Sequence, residues 1–302
     1  MNKTRNLKYA CNVAGFSIIA FLAIREICGA VMANIPFKDG SVMPFVLGIA
    51  VFAAACLIPT ITMENALGLH PKLFRKTDTA TTLAAVFYGY LLIIAASFAN
   101  SLVLALLKKA GLEFAAQTVS IPQKPLHAVL YFAYVCLLPP LLEEIFTRGY
   151  LLNAFKNWGR SFAIVVSSLC FALLHSSMEN FVVYFCCGII LAQVYLTFDS
   201  LLPAMLLHCL NNSISFFMLA FQGRANAHSA LVLIIFVYVC AIIFGYAGKK
   251  HLDSRGIKLS ACFEKDSDLL KKFIYCRKAY MAVAALGLMV FFALLGSYNS
   301  LV

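Results

Sequence analysis

Charge is what this chain has least of. Aspartate and glutamate together number 13 in 302 residues, all charged residues make up 12%, and 62% of the chain is hydrophobic. A soluble domain carries about 25% charged and about 45–50% apolar residues. A water-facing globule is therefore excluded, and an integral membrane protein is expected. Metal-knuckle spacing is missing as well. The 11 cysteines include no CxxC pair, and Cys186 and Cys187 are neighbours, a spacing unsuited to zinc. We read the cysteines as small buried hydrophobes rather than ligands or disulfides. Internal repeats, low-complexity tracts and flexible linkers are also lacking, which leaves one polytopic domain.

What charge there is has a pattern. The net charge of +11 resides in short loops rather than on a basic face, so nucleic acid is not an expected partner and membrane orientation is. Apolar stretches predict an all-α transmembrane bundle of eight to nine spans, at about residues 10–34, 43–62, 80–107, 127–154, 161–176, 180–198, 201–222, 229–248 and 273–297. Helices are the expected element, because lipid offers the backbone no partners and the runs lack barrel alternation. Lys3, Arg5, Lys8, Lys72, Arg75, Lys76, Lys156, Arg160 and the tract from Lys249 to Lys278 fall on one side. That asymmetry predicts a cytoplasmic N-terminus. Basic residues ahead of the first span and a cleavage-like site after Ala33 mimic a signal peptide, but Arg25 and Glu26 inside the run argue for a retained helix. Being adjacent, those two are not expected to face each other; helix packing is their first expected role, and lining the site is the alternative.

Against this background, Glu143 and Glu144 stand inside the apolar segment AVLYFAYVCLLPPLLEEIFTRGYLLNAF. One acid at the centre of a span costs roughly 2.5–3.5 kcal/mol on insertion scales, so two need partners or a function. Glu144 and Arg148 are at i,i+4 with the acid N-terminal, the favourable order for an ion pair. Adjacent helical residues diverge by about 100°, which aims Glu143 elsewhere, as a base facing a cavity. Pro139 and Pro140 predict a kink or local widening beside it. Phe171 and His175 share a helix face, as do His208 and Asn212. At about 1.5 Å per residue, Glu143, His175 and His208 reach comparable depths. Each residue alone has a structural explanation; the ordered set EExxxR, FxxxH, HxxxN is hard to produce by chance.

That set, over about residues 125–222, resembles the three motifs of the CAAX-protease and bacteriocin-processing (CPBP, also Abi or type II CAAX prenyl endopeptidase) family. The resemblance implies a membrane-embedded endopeptidase in which Glu143 activates water with help from His175. It also implies that Glu144 and Arg148 support the first motif, and that His208 and Asn212 stabilise the oxyanion. Relatives are often labelled metalloproteases, so a divalent metal such as zinc is a candidate cofactor, with Glu143, His175 and His208 as candidate ligands. The HExxH helix is lacking, and a metal-independent Glu/His mechanism is preferred. The GxSG serine motif and GxGD are lacking too.

The expected organisation is N-terminal transmembrane helices over 1–120, a catalytic core over 125–222, and C-terminal helices with a basic cytoplasmic loop over 223–302. Expected partners are the bilayer and a peptide or protein substrate, prenylated or bacteriocin-like. The expected home is a bacterial cytoplasmic membrane. Two other readings compete: a proton-coupled transporter, since intramembrane Glu and His also build relays, and a non-catalytic scaffold. Missing repeat halves count against the first, and six intact motif positions against the second.

Overall fold

A computed structural model describes residues 3–38, 40–112, 121–222, 226–259 and 272. Eight rods follow in order: α1 (Lys3–Ala33), α2 (Met43–Leu67) and α3 (Thr79–Lys109), then α4 (Pro125–Lys156), α5 (Arg160–Leu174), α6 (Phe181–Phe198), α7 (Leu201–Gln222) and α8 (Ala227–Ser254). The described residues contain no strand. Seven of the rods are long and apolar enough to cross a membrane, and α5 is shorter. Eight of the nine expected spans are thus present as helices. The ninth, with most of the basic loop before it, lies outside the described residues.

Local chemistry sets the ends. Asp78 caps α3, accepting from the Thr81 backbone N–H at 2.9 Å, and Asn226 caps α8 through Ser229 in the same way. Prolines open α2 and α4, where the first turn has no use for an N–H. Gly68 ends α2 in the left-handed conformation, φ +61°.

Cross-links at the two ends of the bundle fix its relative topology. At one end Arg75 pairs with Asp199 at 2.7 Å, Leu201 N–H bonds the Leu73 carbonyl, and His251 meets Thr81. At the other, Asn100 donates to the Glu179 carbonyl and accepts from the Val183 N–H. Successive rods therefore alternate in direction.

Small residues let the rods approach closely, as membrane packing favours. A Cβ added at Gly188 on α6 would lie 2.8 Å from Ser168 Cα on α5. The apolar core draws on all eight rods, with Phe21, Phe146, Phe162, Phe171 and Tyr195 among its largest side chains. Large apolar side chains such as Phe98, Ile235, Phe236 and Phe244 stay exposed on the outer faces, as a lipid-facing surface requires. Among the described residues eight cysteines are free thiols, of which Cys56, Cys136, Cys170 and Cys187 are buried as expected and the other four are half-buried. Cys11 departs from the sequence expectation and is disulfide-bonded.

Candidate active site

Rod α4 is α-helical only in part. It widens into π-helical turns at Ala133–Leu137 and at Ile145–Leu152, on either side of the two glutamates. The prolines account for the first. Neither Pro139 nor Pro140 has an N–H, so the carbonyls one turn back lose their donors. The Val135 carbonyl is taken up by Asn212 Nδ2 of α7 at 3.1 Å. A carbonyl only accepts, which fixes the amide orientation of Asn212. Interrupted ladders of this kind recur at functional sites.

Between the two wide turns the carboxylates diverge as expected. Glu144 is fully buried and accepts from Arg148 Nη1 at 2.8 Å. Its Oε1 also meets His208 Nδ1 at 3.0 Å, a contact the sequence did not reveal. Arg148 is fully buried too and donates to the Thr147 hydroxyl and the Gly188 carbonyl. Its guanidinium lies 4.4 Å from the Phe171 ring centre, a cation–π contact. Phe171 also packs edge-on against His175 and His208. The FxxxH phenylalanine is thus the wall on which the three motifs meet.

Glu143 points away from Arg148. Its Oε2 lies 3.9 Å from His175 Nε2 and 4.0 Å from His208 Nε2. This buried oxygen has no hydrogen-bond partner among the described residues. The imidazoles are held from behind. His175 Nδ1 lies 2.8 Å from the Phe171 carbonyl and must donate to it. His208 Nδ1–H donates to the Glu144 carboxylate. In their neutral forms both rings therefore present Nε2 lone pairs to the Glu143 oxygen. Tyr184 of α6 stacks on His175 with ring centres 4.0 Å apart. Sequence reasoning missed Tyr184, and no spacing in the chain marks it.

Two adjoining cavities reach this cluster. One, of about 400 Å³, is lined by Tyr131, Val135, Glu143, His175, Asn212 and Phe216, among others. The second, of about 220 Å³, lies behind His175 and is lined by Ser97, Asn180, Tyr184, Cys187, His208 and Asn212, among others. All six motif positions named from the sequence converge on this region. Asn212 is committed in part to the α4 kink.

The metal candidates need a fit test. Zinc holds N and O ligands at about 2.0–2.2 Å, which places tetrahedral ligand atoms roughly 3.4 Å apart. The Glu143 oxygen is 3.9 and 4.0 Å from the two nitrogens. Among the described residues no three His, Cys, Asp or Glu side chains have the arrangement of a metal cage. These side chains do not fit a zinc ion as they stand; the spacing suits a molecule that hydrogen-bonds between them.

Arg25 departs from its expectation. It does meet its neighbour Glu26, at 2.6 Å, because two long side chains curl toward each other. It also donates to the Leu174 carbonyl and to Ser176 Oγ, on either side of His175.

A polytopic helical bundle with an acid–imidazole cluster buried at depth is the class that fold and site define. Residues 125–214 match the family model described as Type II CAAX prenyl endopeptidase Rce1-like. The match, confined to this segment, is consistent with the CPBP motifs and supports a CAAX-type protease within an integral, multi-pass membrane protein. No curated protein and no solved structure gives a significant match.

Proposed function

We propose that this protein is an intramembrane endopeptidase in which Glu143 activates water and the catalytic core spans residues 125–222. The observation that carries the reading is the unpartnered Glu143 Oε2, facing Nε2 of two imidazoles from separate helices. Charge bookkeeping sharpens it. Glu143 and Glu144 contribute two negative charges and Arg148 one positive. A low-dielectric interior favours neutral clusters, so Glu143, His175 and His208 share one further proton. One labile proton beside a carboxylate is what acid–base hydrolysis uses.

The reaction runs as follows. Water bound between Glu143 and His175 loses a proton to Glu143 as its oxygen bonds the scissile carbonyl carbon. The oxyanion accepts from His208 Nε2–H, with the imidazolium stabilised by Glu144 through Nδ1, and from the second N–H of Asn212. Collapse breaks the C–N bond, and the Glu143 proton passes to the leaving amine. The new carboxylic acid passes its remaining proton to the amine, carboxylate and ammonium are released, and Glu143 is ionised again. Arg148 holds Glu144 in place throughout.

The substrate is a membrane-associated peptide or protein, prenylated CAAX-type or bacteriocin-like, entering through the larger cavity, where Tyr131, Val135 and Phe216 offer an apolar wall. A bacterial cytoplasmic membrane with the N-terminus inside suits the loop charges. The test is cleavage of a quenched peptide library by purified protein beside Glu143→Ala, with metal analysis of both. Cleavage by the parent and none by the folded variant supports the reading. Equal cleavage by both removes it.

A further inference from the structure

Arg25 belongs to α1, outside the segment that matches the family model, and stands eight residues before the helix end at Ala33, about 12 Å along the axis. Arginine at such depth in an apolar helix is costly and marks a role. Its contacts show where to look. Nη1 donates to the carbonyl of Leu174, the last residue of α5, and Nη2 donates to Ser176 Oγ at 2.6 Å. Glu26 holds the guanidinium from the exposed side, and Phe21 lies beneath it.

The end of α5 needs such a partner. Its 15 residues rise about 22 Å, short of a hydrocarbon core of about 30 Å. Its last carbonyls therefore finish at depth, where water is scarce and unpaired backbone groups are costly. The chain then turns through Ser176 at φ +50°, a left-handed conformation that suits glycine better than serine. His175 sits between the two atoms that Arg25 grips. Its ring is oriented by the Phe171 carbonyl and Tyr184. Among the described residues its backbone is tied only to its own last turn, through the His175 and Ser176 N–H bonds to the Ala172 and Leu173 carbonyls, and Arg25 adds the link to another rod.

We propose that Arg25 is a positioning residue for His175, clamping the strained end of α5 so that Nε2 stays directed at Glu143. The inference rests on the role assigned to His175 above. It predicts that Arg25→Gln lowers kcat about 10- to 100-fold, the scale of small misplacements at a reacting centre, with KM little changed. Arg25→Lys recovers part of the loss, since an ammonium reaches one acceptor but cannot span both. Adding Ser176→Gly to Arg25→Gln also recovers part, because glycine holds the left-handed turn without a clamp.

The experiment measures kcat, KM and thermal midpoint for these variants and for His175→Ala on one peptide substrate. Wild-type kcat in Arg25→Gln beside an inactive His175→Ala overturns the inference and leaves the hydrolase reading standing. Loss in Arg25→Gln that tracks a fall in midpoint, with no recovery from lysine or from the added glycine, overturns it as well. Full activity in His175→Ala retires both. If Arg25→Gln does not fold, Arg25→Lys decides: reduced kcat at an unchanged midpoint supports the clamp, and wild-type kcat overturns it.

Discussion

Asn212 Nδ2 lies 3.1 Å from the Val135 carbonyl, an acceptor that Pro139 and Pro140 leave without a backbone donor. The third motif is therefore tied to the kink that precedes the first. Asn212→Ala strands this carbonyl at a cost of about 1–3 kcal/mol, in addition to any loss of oxyanion binding. We expect a lowered unfolding midpoint together with reduced turnover, read by thermal denaturation in detergent and by peptide cleavage.

Glu143 behaves differently. Its Oε2 has no hydrogen-bond partner among the described residues, so Glu143→Gln should leave the unfolding midpoint nearly unchanged. Turnover should fall by about 10²–10⁴, the range of general-base removal. The check is cleavage rate against thermal midpoint on the same preparation. Wild-type turnover in this variant excludes Glu143 as the base.

Arg148 is expected to show the reverse balance. With both partners fully buried, Arg148→Met leaves the Glu144 charge with only the His208 N–H beside it, a loss of about 3–5 kcal/mol. Arg148→Lys does not restore the bonds to Glu144, Thr147 and Gly188 together. Adding Glu144→Gln to Arg148→Met removes the stranded charge and should recover folded yield. Protease-resistant yield after solubilisation measures both effects.

The close contact of α5 and α6 gives a steric prediction. A methyl at Gly188 meets the Ser168 backbone at 2.8–3.1 Å, where no flexible side-chain end can give way. Gly188→Ala should cost about 1–3 kcal/mol and displace the carbonyl that Arg148 uses. The readout is the unfolding midpoint.

One pH effect lies outside the spans. Asp78 accepts from both the N–H and the hydroxyl of Thr81, which holds its carboxyl below the ordinary 3.8. The unfolded chain takes up this proton more readily than the folded one. The cap's contribution is therefore complete above the ordinary value and is lost as pH falls through the lower, folded value. Asp78→Asn keeps an acceptor but should flatten that part of the curve, measured as thermal midpoint from neutral into acid pH.

Much of this was legible in the chain because membranes impose simple rules. Hydrophobic length marked the rods, and i,i+4 spacing marked the Glu144–Arg148 pair and the shared face of Phe171 and His175. The prolines announced a disturbance at α4, though not which side chain would answer it. Contacts between distant segments were out of reach: the His208–Glu144 bond, the Tyr184 stack, and the grip of Arg25 on the turn after α5. Each joins side chains whose sequence separation carries no period. The i,i+1 rule failed at Arg25 and Glu26 because it describes where Cβ atoms point, not how far long side chains fold back.

The pairing of Glu144 with Arg148 along a single helix bears on biogenesis. Both charges belong to one rod, so they can neutralise each other before any neighbouring span arrives. The segment then enters the bilayer during synthesis with one net charge to accommodate instead of three. Its remaining carboxylate waits for histidines that the ribosome delivers later. The cluster of Glu143, His175 and His208 is therefore complete only once α7 has joined α4 and α5.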